Sequence, residues 1–435
     1  MCGEVMLLEF RVKNFKSIKE EVVLSTTRLT DKSSDQNIIP TENKISPKVL
    51  KSILITGPNA SGKSNVLEAI YFMHYFINNN LNLKPGEKIN QVAPFKLDDL
   101  TKDEPSEFEV SLLIENIVYT YGFSLTKSEI YTEYLYYYKS NKKITIFQRT
   151  KQDFIFEENE LKNEQEQLKT RVSENKLYLS VSASWNFEIS NNIIKYLRDK
   201  FNFINENTDG DINILKEIQK SKEFKDKLLD TLRAVDFGIK GLKVFEENMP
   251  KDDLEKFLKM AEIQEGKEKS DKMINELKDV KLYRLELLHN YKSENKLIDV
   301  YFEDNEESLG TNAFVERMGN ILYTIEKQGI LIIDEIETRL HPYLTNFINL
   351  YINCSTNKGA QVIFTTHCYN LLDLQESKLR HEQIWFTQRK DDQSTELFSL
   401  ADFAERKDPN LNIMKRYFEG RYGAKPFVDF EVINK

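Results

Sequence analysis

The feature that most constrains the fold is a glycine-rich loop placed between an apolar run and a helical pattern. Residues 50–56, LKSILIT, predict a buried strand, and the next eight residues, Gly57-Pro58-Asn59-Ala60-Ser61-Gly62-Lys63-Ser64, fit the pattern GxxxxGKS. Apolar residues at helical spacing then run from Val66 to Ile77. Because strand, loop and helix in this order form the context in which this pattern cradles phosphates, the sequence predicts a P-loop in an α/β fold.

The residues of this loop suit the binding of a nucleoside triphosphate. Gly57 and Gly62 allow backbone conformations and close approaches that a Cβ atom would hinder. Amides of residues 60–64 at a helix N-terminus, with its partial positive charge, attract phosphate oxygens. Lys63 is expected to reach the β- and γ-phosphates, and the Ser64 hydroxyl to bind Mg²⁺. The predicted nucleotide-binding residues here are Asn59, Ala60, Ser61, Gly62, Lys63 and Ser64.

Two further strand patterns end in residues with catalytic chemistry. The apolar run Gly329–Ile333 leads to Asp334 and Glu335, and open α/β sheets bind their ligands at the carboxyl ends of strands. Asp334 is the candidate partner of Mg²⁺, and Glu335 is the candidate base that positions an attacking water. A third run, Gln361–Phe364, is followed by Thr365-Thr366-His367. We therefore predict Glu335 and His367 as the catalytic residues, with His367 directed at the γ-phosphate.

Between these two halves, the chain changes its pattern several times. Residues 108–147 alternate apolar and polar residues and predict an antiparallel sheet. Residues 150–178 are dense in Lys, Glu, Asn and Gln, which predicts an exposed helix or loop, and residues 186–278 are mostly helical in period. A hairpin is expected around Lys292–Asn295.

Lys63 and Asp334 are 271 residues apart, so an insertion must separate two halves of one nucleotide-binding fold. We expect residues 1–148 to form the N-terminal half with a β lobe, residues 149–280 a mainly helical insertion, and residues 281–435 the C-terminal half with a tail.

Composition limits the class of protein. The formal net charge of −9 argues against a protein that coats nucleic acid without specificity, because phosphate binding needs Lys and Arg on one face. A local basic groove is still compatible with this net charge. No apolar run approaches the roughly 20 residues of a membrane-spanning helix, and no signal peptide pattern opens the sequence. The 3 cysteines have no CxxC spacing and argue against a disulfide framework and a zinc site. We therefore expect a cytoplasmic protein with no membrane contact.

Taken together, five segments of the sequence resemble the motifs of a known family. They are Leu8–Ser17 (LEFRVKNFKS), Glu307–Thr311 (ESLGT), Asp334–Pro342 (DEIETRLHP), Thr365–His367 (TTH) and Tyr417–Pro426 (YFEGRYGAKP). They are similar to the opening strand, a degenerate ABC signature, Walker B with the D-loop, the switch histidine and the tail of ABC-type ATPases of the SMC, RecF and OLD group. The resemblance is greatest to the AAA-15- and AAA-21-like ATP-binding proteins of bacterial defence (abortive-infection) loci.

This resemblance implies a P-loop NTPase of the ABC-ATPase head type, with an antiparallel β lobe and a helical insertion. It implies ATP and Mg²⁺ as ligands, with Arg11 and Asn14 bordering the nucleotide and Gln91 as the metal-binding Q-loop residue. It also implies that Ser308, Gly310 and Thr311 bind the γ-phosphate held by a second protomer. An ordinary helix N-cap is the other interpretation of Ser308.

The function implied is an ATP-hydrolysing ATPase that forms a homodimer or higher homo-oligomer through its ATP site. It would act as the sensor or regulatory subunit of an anti-phage system and control a separate effector, for which a nuclease is one candidate. No metal-nuclease spacing is visible among the 5 histidines. Two alternatives stay open: a DNA-maintenance ATPase resembling RecF, and an ATP-binding scaffold with little turnover. A nucleic-acid partner also stays open, since Arg416, Arg421 and Lys425 accompany aromatic residues in the tail.

Overall fold

The structure is a computed structural model, and it describes residues 5–27, 35–139, 142–157, 161–204, 212–235, 237–248, 281–294, 296–403 and 412–424. The chain divides into two compact units. The core unit comprises Met1–Asn207 and Thr324–Lys435, and the insert unit comprises Thr208–Tyr323. These boundaries fall elsewhere than the three-part division expected from the sequence at residues 148 and 280, and the roles assigned to those three segments stay a prediction.

The strands and helices are numbered along the chain. The strands are β1 Val5–Lys13, β2 Val22–Ser25, β3 Ile38–Pro40, β4 Lys48–Leu50, β5 Ser52–Thr56, β6 Ser106–Ile114, β7 Ile117–Leu125, β8 Ile130–Lys139, β9 Lys142–Thr150, β10 Asp153–Ile155, β11 Phe201–Ile204, β12 Gly241–Asn248, β13 Lys281–Ser293, β14 Lys296–Glu303, β15 Ile330–Ile333, β16 Gln361–Thr366, β17 Ile384–Arg389 and β18 Thr395–Ser399. The helices are α1 Lys63–Asn79, α2 Lys162–Lys169, α3 Tyr178–Ser184, α4 Glu188–Lys200, α5 Ile212–Lys220, α6 Lys222–Ala234, α7 Leu309–Lys327, α8 Pro342–Ile352, α9 Leu374–Ser377 and α10 Ile413–Phe418.

A six-stranded sheet forms the centre of the core unit, in the order β11-β15-β16-β5-β17-β18. Its strands pair in parallel except for β18, which is antiparallel to β17. The residues of β5 and β15 are buried throughout, as expected for parallel strands covered on both faces. The predicted parallel α/β core is therefore confirmed. Because β16 lies between β5 and β15, the carboxyl ends of these three strands meet at one edge of the sheet.

The second sheet of the core unit is antiparallel and has the order β10-β9-β8-β7-β6-β1-β2. It confirms the sheet predicted over residues 108–147, and Glu115 and Asn116 make the tight turn between β6 and β7 with φ values of 48° and 67°. Large side chains of one face, including Phe108 and Phe123, share a hydrophobic core with helix α1. The two sheets are also linked by Gln361, which exchanges two hydrogen bonds with the backbone of Leu7, at 2.6 and 3.0 Å.

Residues 150–178 were expected to be exposed, and the structure corrects this. They contain β10 and α2, and Leu168 and Val172 are buried in the core. Gln165 is also fully buried, where its amide donates to the Ile146 carbonyl at 2.9 Å. The polar composition was misleading because one face of α2 places Leu168 in the core together with Gln165, whose NH₂ group has a backbone acceptor.

In the insert unit, the described residues form helices and a three-stranded sheet in the order β12-β13-β14. The hairpin expected around residues 292–295 is confirmed. The helical pattern predicted over residues 186–278 is wrong in two places. Residues 201–204 form β11, which pairs in parallel with β15 in the core unit. Residues 241–248 form β12, because Leu242 and Val244 alternate with polar residues and join the apolar face of the sheet. The helical face predicted at Leu254–Ala261 lies outside the described residues. Within the described part of the chain, no helix is long and apolar enough to cross a membrane.

A fully buried ion pair joins the antiparallel sheet to the start of α3. The Glu133 carboxylate accepts hydrogen bonds from the backbone amides of Tyr178 and Leu179 at 2.7 and 2.9 Å and lies 3.3 Å from the Arg149 guanidinium. Arg149 also donates to the Lys176 carbonyl at 2.6 Å. Both charges are therefore compensated by fixed partners in a site that water does not enter.

We predict that Glu133→Ala lowers the free energy of unfolding by about 3–5 kcal/mol, because it leaves the Arg149 charge buried without its counter-ion. The measurement is the midpoint of urea unfolding followed by circular dichroism. Glu129→Ala is the matched control, because Glu129 pairs with Lys151 at the surface and its loss should leave the midpoint near the wild-type value. Equal midpoints for Glu133→Ala and the wild type would contradict the prediction.

Candidate functional site

The glycine-rich loop leaves β5 and enters α1 through a left-handed turn. Gly62 is the N-cap of α1 with φ +100°, and Ala60 also has a positive φ of 59°. A Cβ atom on Gly62 would lie 2.0 Å from the Thr395 Oγ1 atom and 2.9 Å from the Ser17 Oγ atom. Glycine at position 62 is therefore required both by its backbone conformation and by the close approach of neighbouring residues.

Lys63 lies at the beginning of α1 and its side chain is directed across the loop. Its Nζ atom donates to the Gly57 and Pro58 carbonyls, both at 3.0 Å. Burial lowers the pKa of Lys63, and the negative charges of Glu335, Asp334 and Glu337 oppose this shift. Since an ammonium group has three donors, Lys63 keeps one for a phosphate oxygen.

Three hydroxyl side chains outside the loop brace it. Thr387 Oγ1 lies 2.6 Å from Ser61 Oγ, and Thr395 Oγ1 donates to the Ser61 carbonyl at 3.0 Å. Ser17 Oγ lies 2.7 Å from Thr395 Oγ1 and accepts from the Asn65 amide at 2.5 Å. The sequence analysis assigned no role to these hydroxyls, because they are far from the loop along the chain and follow no periodic pattern.

The carboxylates after β15 are held by the neighbouring strand β16. Thr365 Oγ1 donates to Asp334 Oδ1 at 2.5 Å and accepts from the Glu335 amide at 2.7 Å. The Thr365 carbonyl accepts from the Ile336 amide at 3.1 Å. Glu335 has φ +50°, an uncommon conformation for a residue with a side chain, and these bonds hold it there. Thr365 is thus a positioning residue that the sequence did not reveal.

His367 follows β16 and lies beside the same carboxylates. Its Nε2 atom is 3.8 Å from Glu335 Oε1. Burial and the positive charge of Lys63 lower the pKa of His367, while Glu337, Glu335 and Asp334 oppose this shift. A lowered pKa favours the neutral imidazole at neutral pH, which has one N–H donor. The structure therefore brings together Lys63, Asp334, Glu335 and His367, as expected from the ends of β5, β15 and β16.

Three of the predicted residues border the site less directly. The buried Asn14 side chain donates to the carbonyls of Thr101 and Glu104 at 2.7 and 2.9 Å, so both amide hydrogens are used within the protein, and the role predicted for Asn14 stays a prediction. Arg11 pairs with Glu9, Glu21 and Glu109 on the antiparallel sheet.

Gln91 is exposed, in a loop whose Ala93 carbonyl accepts from the Lys16 amide at 2.6 Å. That places Gln91 near the turn that contains Ser17. The roles of Arg11 and Gln91 stay predictions.

The segment resembling an ABC signature lies in the insert unit, at the start of α7. Ser308 Oγ accepts from the Thr311 amide at 3.0 Å and lies 2.8 Å from Thr311 Oγ1. Gly310 is in the first turn of the helix. Ser308 is therefore an N-cap in this structure, and the binding role predicted for Ser308, Gly310 and Thr311 stays a prediction.

Of the tail residues that were candidates for nucleic-acid contact, two aromatic residues are packed, whereas Arg421 and Phe418 are exposed. Tyr417 and Tyr422 are buried, and both rings stack on Phe386 at centroid distances of 5.7 and 5.6 Å. Tyr417 also donates to the Ala424 carbonyl at 2.7 Å. These contacts favour a structural tail over a stacking platform for bases, and Lys425 lies outside the described residues.

The chemistry of the loop fits the phosphates of a nucleotide. The first backbone amides of any helix lack intrahelical acceptors, and in α1 no side chain caps them. They therefore remain available to an anion, and the buried Lys63 amine is adjacent. The oxygen atoms of Ser64 and Asp334 are the hard ligands that Mg²⁺ prefers. No cluster of three or more His, Cys, Asp or Glu suitable for a metal occurs among the residues that the structure describes. Mg²⁺ in such sites needs only one or two protein ligands, because phosphates and water supply the rest.

Comparisons with known proteins agree with the loop and strand geometry. A family model described as "AAA domain, putative AbiEii toxin, Type IV TA system" matches residues 52–373. No curated protein matches this sequence.

Among solved structures, the chain is similar to an SMC head bound to the C-winged helix domain of ScpA (13% identity, TM-score 0.44, covering 90% of this chain and 97% of that one). It is also similar to the SMC head domain from Thermotoga maritima (12% identity, TM-score 0.39, covering 90% and 98%). At these scores the two similarities carry no inference about what this chain binds.

Proposed function

Since this chain belongs to the AAA-domain family whose model its residues 52–373 match, we propose that it binds ATP with Mg²⁺ and hydrolyses it. The observation that carries the proposal is the convergence of Lys63, Asp334, Glu335 and His367 at the ends of three adjacent parallel strands. A phosphate-binding loop alone would account for the binding of ATP but not for its hydrolysis. A carboxylate and an imidazole facing the same lysine add the groups that hydrolysis requires.

Each of these side chains has a definite task in the proposed reaction. ATP is the substrate and contains the phosphoanhydride bond, and Mg²⁺, when bound, would neutralise charge on its phosphates. Lys63 and the amides of the loop hold the phosphates, and Ser64 and Asp334 hold the metal. Glu335 orients the attacking water and takes its proton, and the N–H of His367 donates to the terminal phosphate.

We predict that Lys63→Ala abolishes measurable ATP binding, because the phosphates lose the buried ammonium group that lies at the loop. Glu335→Gln should bind ATP normally and lower kcat by about 10²–10⁴-fold, since an amide cannot accept the proton of water. Binding is measured with a fluorescent ATP analogue and turnover by phosphate release. Glu376→Gln, an exposed position in α9, is the matched control. Turnover of Glu335→Gln at the wild-type rate would contradict the assignment of the base.

We further propose that two copies of the chain close around ATP. The resemblance of Glu307–Thr311 to an ABC signature supports this, because a signature binds the γ-phosphate held by a second protomer. The Ser308 hydroxyl and the start of the 19-residue helix α7 offer hydrogen-bond donors for such a phosphate. ATP would then favour the dimer only to the extent that it binds the closed form more tightly than the open one.

We predict that Glu335→Gln with ATP and Mg²⁺ has about twice the mass of its nucleotide-free form in light scattering. Adding Ser308→Arg should prevent this increase, because the longer charged side chain would clash with the incoming nucleotide. Ser128→Arg, which changes an exposed turn in the same way, is the control. The same mass in every state would contradict ATP-dependent closure, and a constant higher oligomer would require a different assembly.

The biological role that we propose is that of a regulatory ATPase in a bacterial defence system, acting on a separate effector protein. The family description, which names a toxin of a type IV toxin–antitoxin system, supports a place in such systems.

We predict that the purified chain does not cut DNA or RNA in the presence of ATP with Mg²⁺ or Mn²⁺, and that its expression alone does not arrest bacterial growth. Electrophoresis of labelled nucleic acids and growth curves check these outcomes. Cutting that survives in Lys63→Ala and follows the chain through every purification step would place the nuclease in this polypeptide. Growth arrest by the wild type alone would make the chain itself the toxin.

A further inference from the structure

Glu337 is a carboxylate of the site to which neither the sequence nor the proposed reaction assigns a role. It lies three residues after Asp334, and its Oε1 atom accepts a hydrogen bond from the backbone amide of His367. Its Oε2 atom is buried and has no hydrogen-bond partner among the described residues. One oxygen of Glu337 therefore binds the backbone of His367, and the other has no donor among the described residues.

We propose that Glu337 is a positioning residue that holds His367 in its catalytic place, so that it controls the rate of hydrolysis and not the binding of ATP. This inference rests on the proposed ATPase function. It adds a residue whose effect on the reaction passes through another side chain.

The geometry supports this because the loop after β15 is joined to the end of β16 at three successive points. The Glu335 amide donates to Thr365 Oγ1 at 2.7 Å, and the Ile336 amide donates to the Thr365 carbonyl at 3.1 Å. The third point is the Glu337 carboxylate on the His367 amide. Of these three points only the third uses a side chain of the loop, beside the separate bond from Thr365 Oγ1 to Asp334 Oδ1. It can therefore be removed by substitution while the two backbone donors stay in place.

The first two points fix Thr365, but His367 lies beyond the last hydrogen-bonded residue of β16. Its backbone therefore depends more strongly on Glu337 than the backbone of Thr365 does. A hydrogen bond to an ionised carboxylate is stronger than one between neutral groups, which suits a bond that must fix a residue at the end of a strand. A displacement of about 1 Å at such a residue can reduce a rate by about 10²-fold.

The second oxygen of Glu337 points to the same role. A buried acceptor without a donor is unfavourable in the ligand-free protein, and native proteins keep few such groups. Burial lowers the pKa of both Lys63 and His367, and the negative charge of Glu337 opposes this lowering. Oε2 can accept from water or from a hydroxyl group that enters with the ligand, which would then hold the loop and His367 in the loaded arrangement.

The test compares three substitutions of one residue. Glu337→Ala removes the acceptor, and we expect kcat to fall about 10–10²-fold while KM changes by less than about 3-fold. Glu337→Gln keeps a side-chain carbonyl at the same distance and should restore kcat to within about 3-fold of the wild type. Glu337→Asp keeps the charge but withdraws the oxygen by one methylene, so its kcat should resemble that of Glu337→Ala. If Glu337→Ala fails to fold, the contrast between Gln and Asp decides the question.

A double substitution tests whether Glu337 acts through His367. If it does, kcat of the double variant Glu337→Ala/His367→Ala should be no lower than kcat of His367→Ala alone. The imidazole that Glu337 positions is already absent from His367→Ala, so removing Glu337 has no further effect. Independent losses that multiply would overturn the inference. Amide hydrogen exchange of a peptide spanning residues 365–372 gives a measurement without turnover, and it should be faster in Glu337→Ala and unchanged in Glu337→Gln.

The outcomes separate this inference from the function on which it rests. A wild-type chain that binds ATP but shows no turnover would overturn the proposed ATPase and the inference with it. A wild type that hydrolyses ATP, together with Glu337→Ala at the wild-type kcat, would leave the ATPase intact and overturn the role of Glu337 alone. A loss confined to KM would also overturn it, since the residue would then act on binding.

Discussion

Parallel pairing of β16 with both β5 and β15 is the constraint on which the candidate site depends. The pairing places the loop after β5, the carboxylates after β15 and the histidine after β16 at one edge of the sheet. The first two come from parts of the chain that are 271 residues apart. The closure entropy of a long loop grows slowly, by about 0.6 kcal/mol for each doubling of its length. An insert unit can therefore separate the two halves at a small cost, provided that the three strands still pair.

Hydroxyl side chains hold the two loops that follow β5 and β15. Thr365 holds the carboxylate loop, whereas Thr387, Thr395 and Ser17 hold the P-loop. The two loops contain residues with positive φ that are not glycine, namely Ala60 and Glu335. Such conformations cost on the order of 1–2 kcal/mol each and persist only where neighbouring bonds determine them. The bracing hydroxyls provide those bonds, which explains why short polar side chains lie at the ends of otherwise apolar strands.

The elements that sequence patterns predicted are those whose signal is local. The strand, the P-loop and α1 follow one another in the chain, and the alternation in residues 108–147 marks the antiparallel sheet directly. The patterns failed where burial depends on distant partners. Gln165 was predicted to be exposed because no neighbouring residue in the sequence indicates that its amide donates to the Ile146 carbonyl. The bond from Thr395 to Ser61 joins residues 334 positions apart, and neither periodicity nor composition can reveal such a pair. Asn14 was assigned to the nucleotide by resemblance, whereas its amide is used to brace the loop around Thr101.

The two groups of bracing contacts have a consequence for how the site works. The P-loop is held from β17, β18 and the turn at Ser17, and the tail residues Tyr417 and Tyr422 stack on Phe386 in the same strand as Thr387. The carboxylate loop is held from β16, through Thr365 and the His367 backbone, and from β11, where the Ile204 carbonyl accepts from the Asp334 amide at 3.1 Å. Among the described residues, the two loops thus have different supports and meet mainly through the electrostatic field of Lys63. The P-loop and the carboxylate loop therefore rely on separate sets of hydrogen bonds, so a substitution that removes one set leaves the other in place.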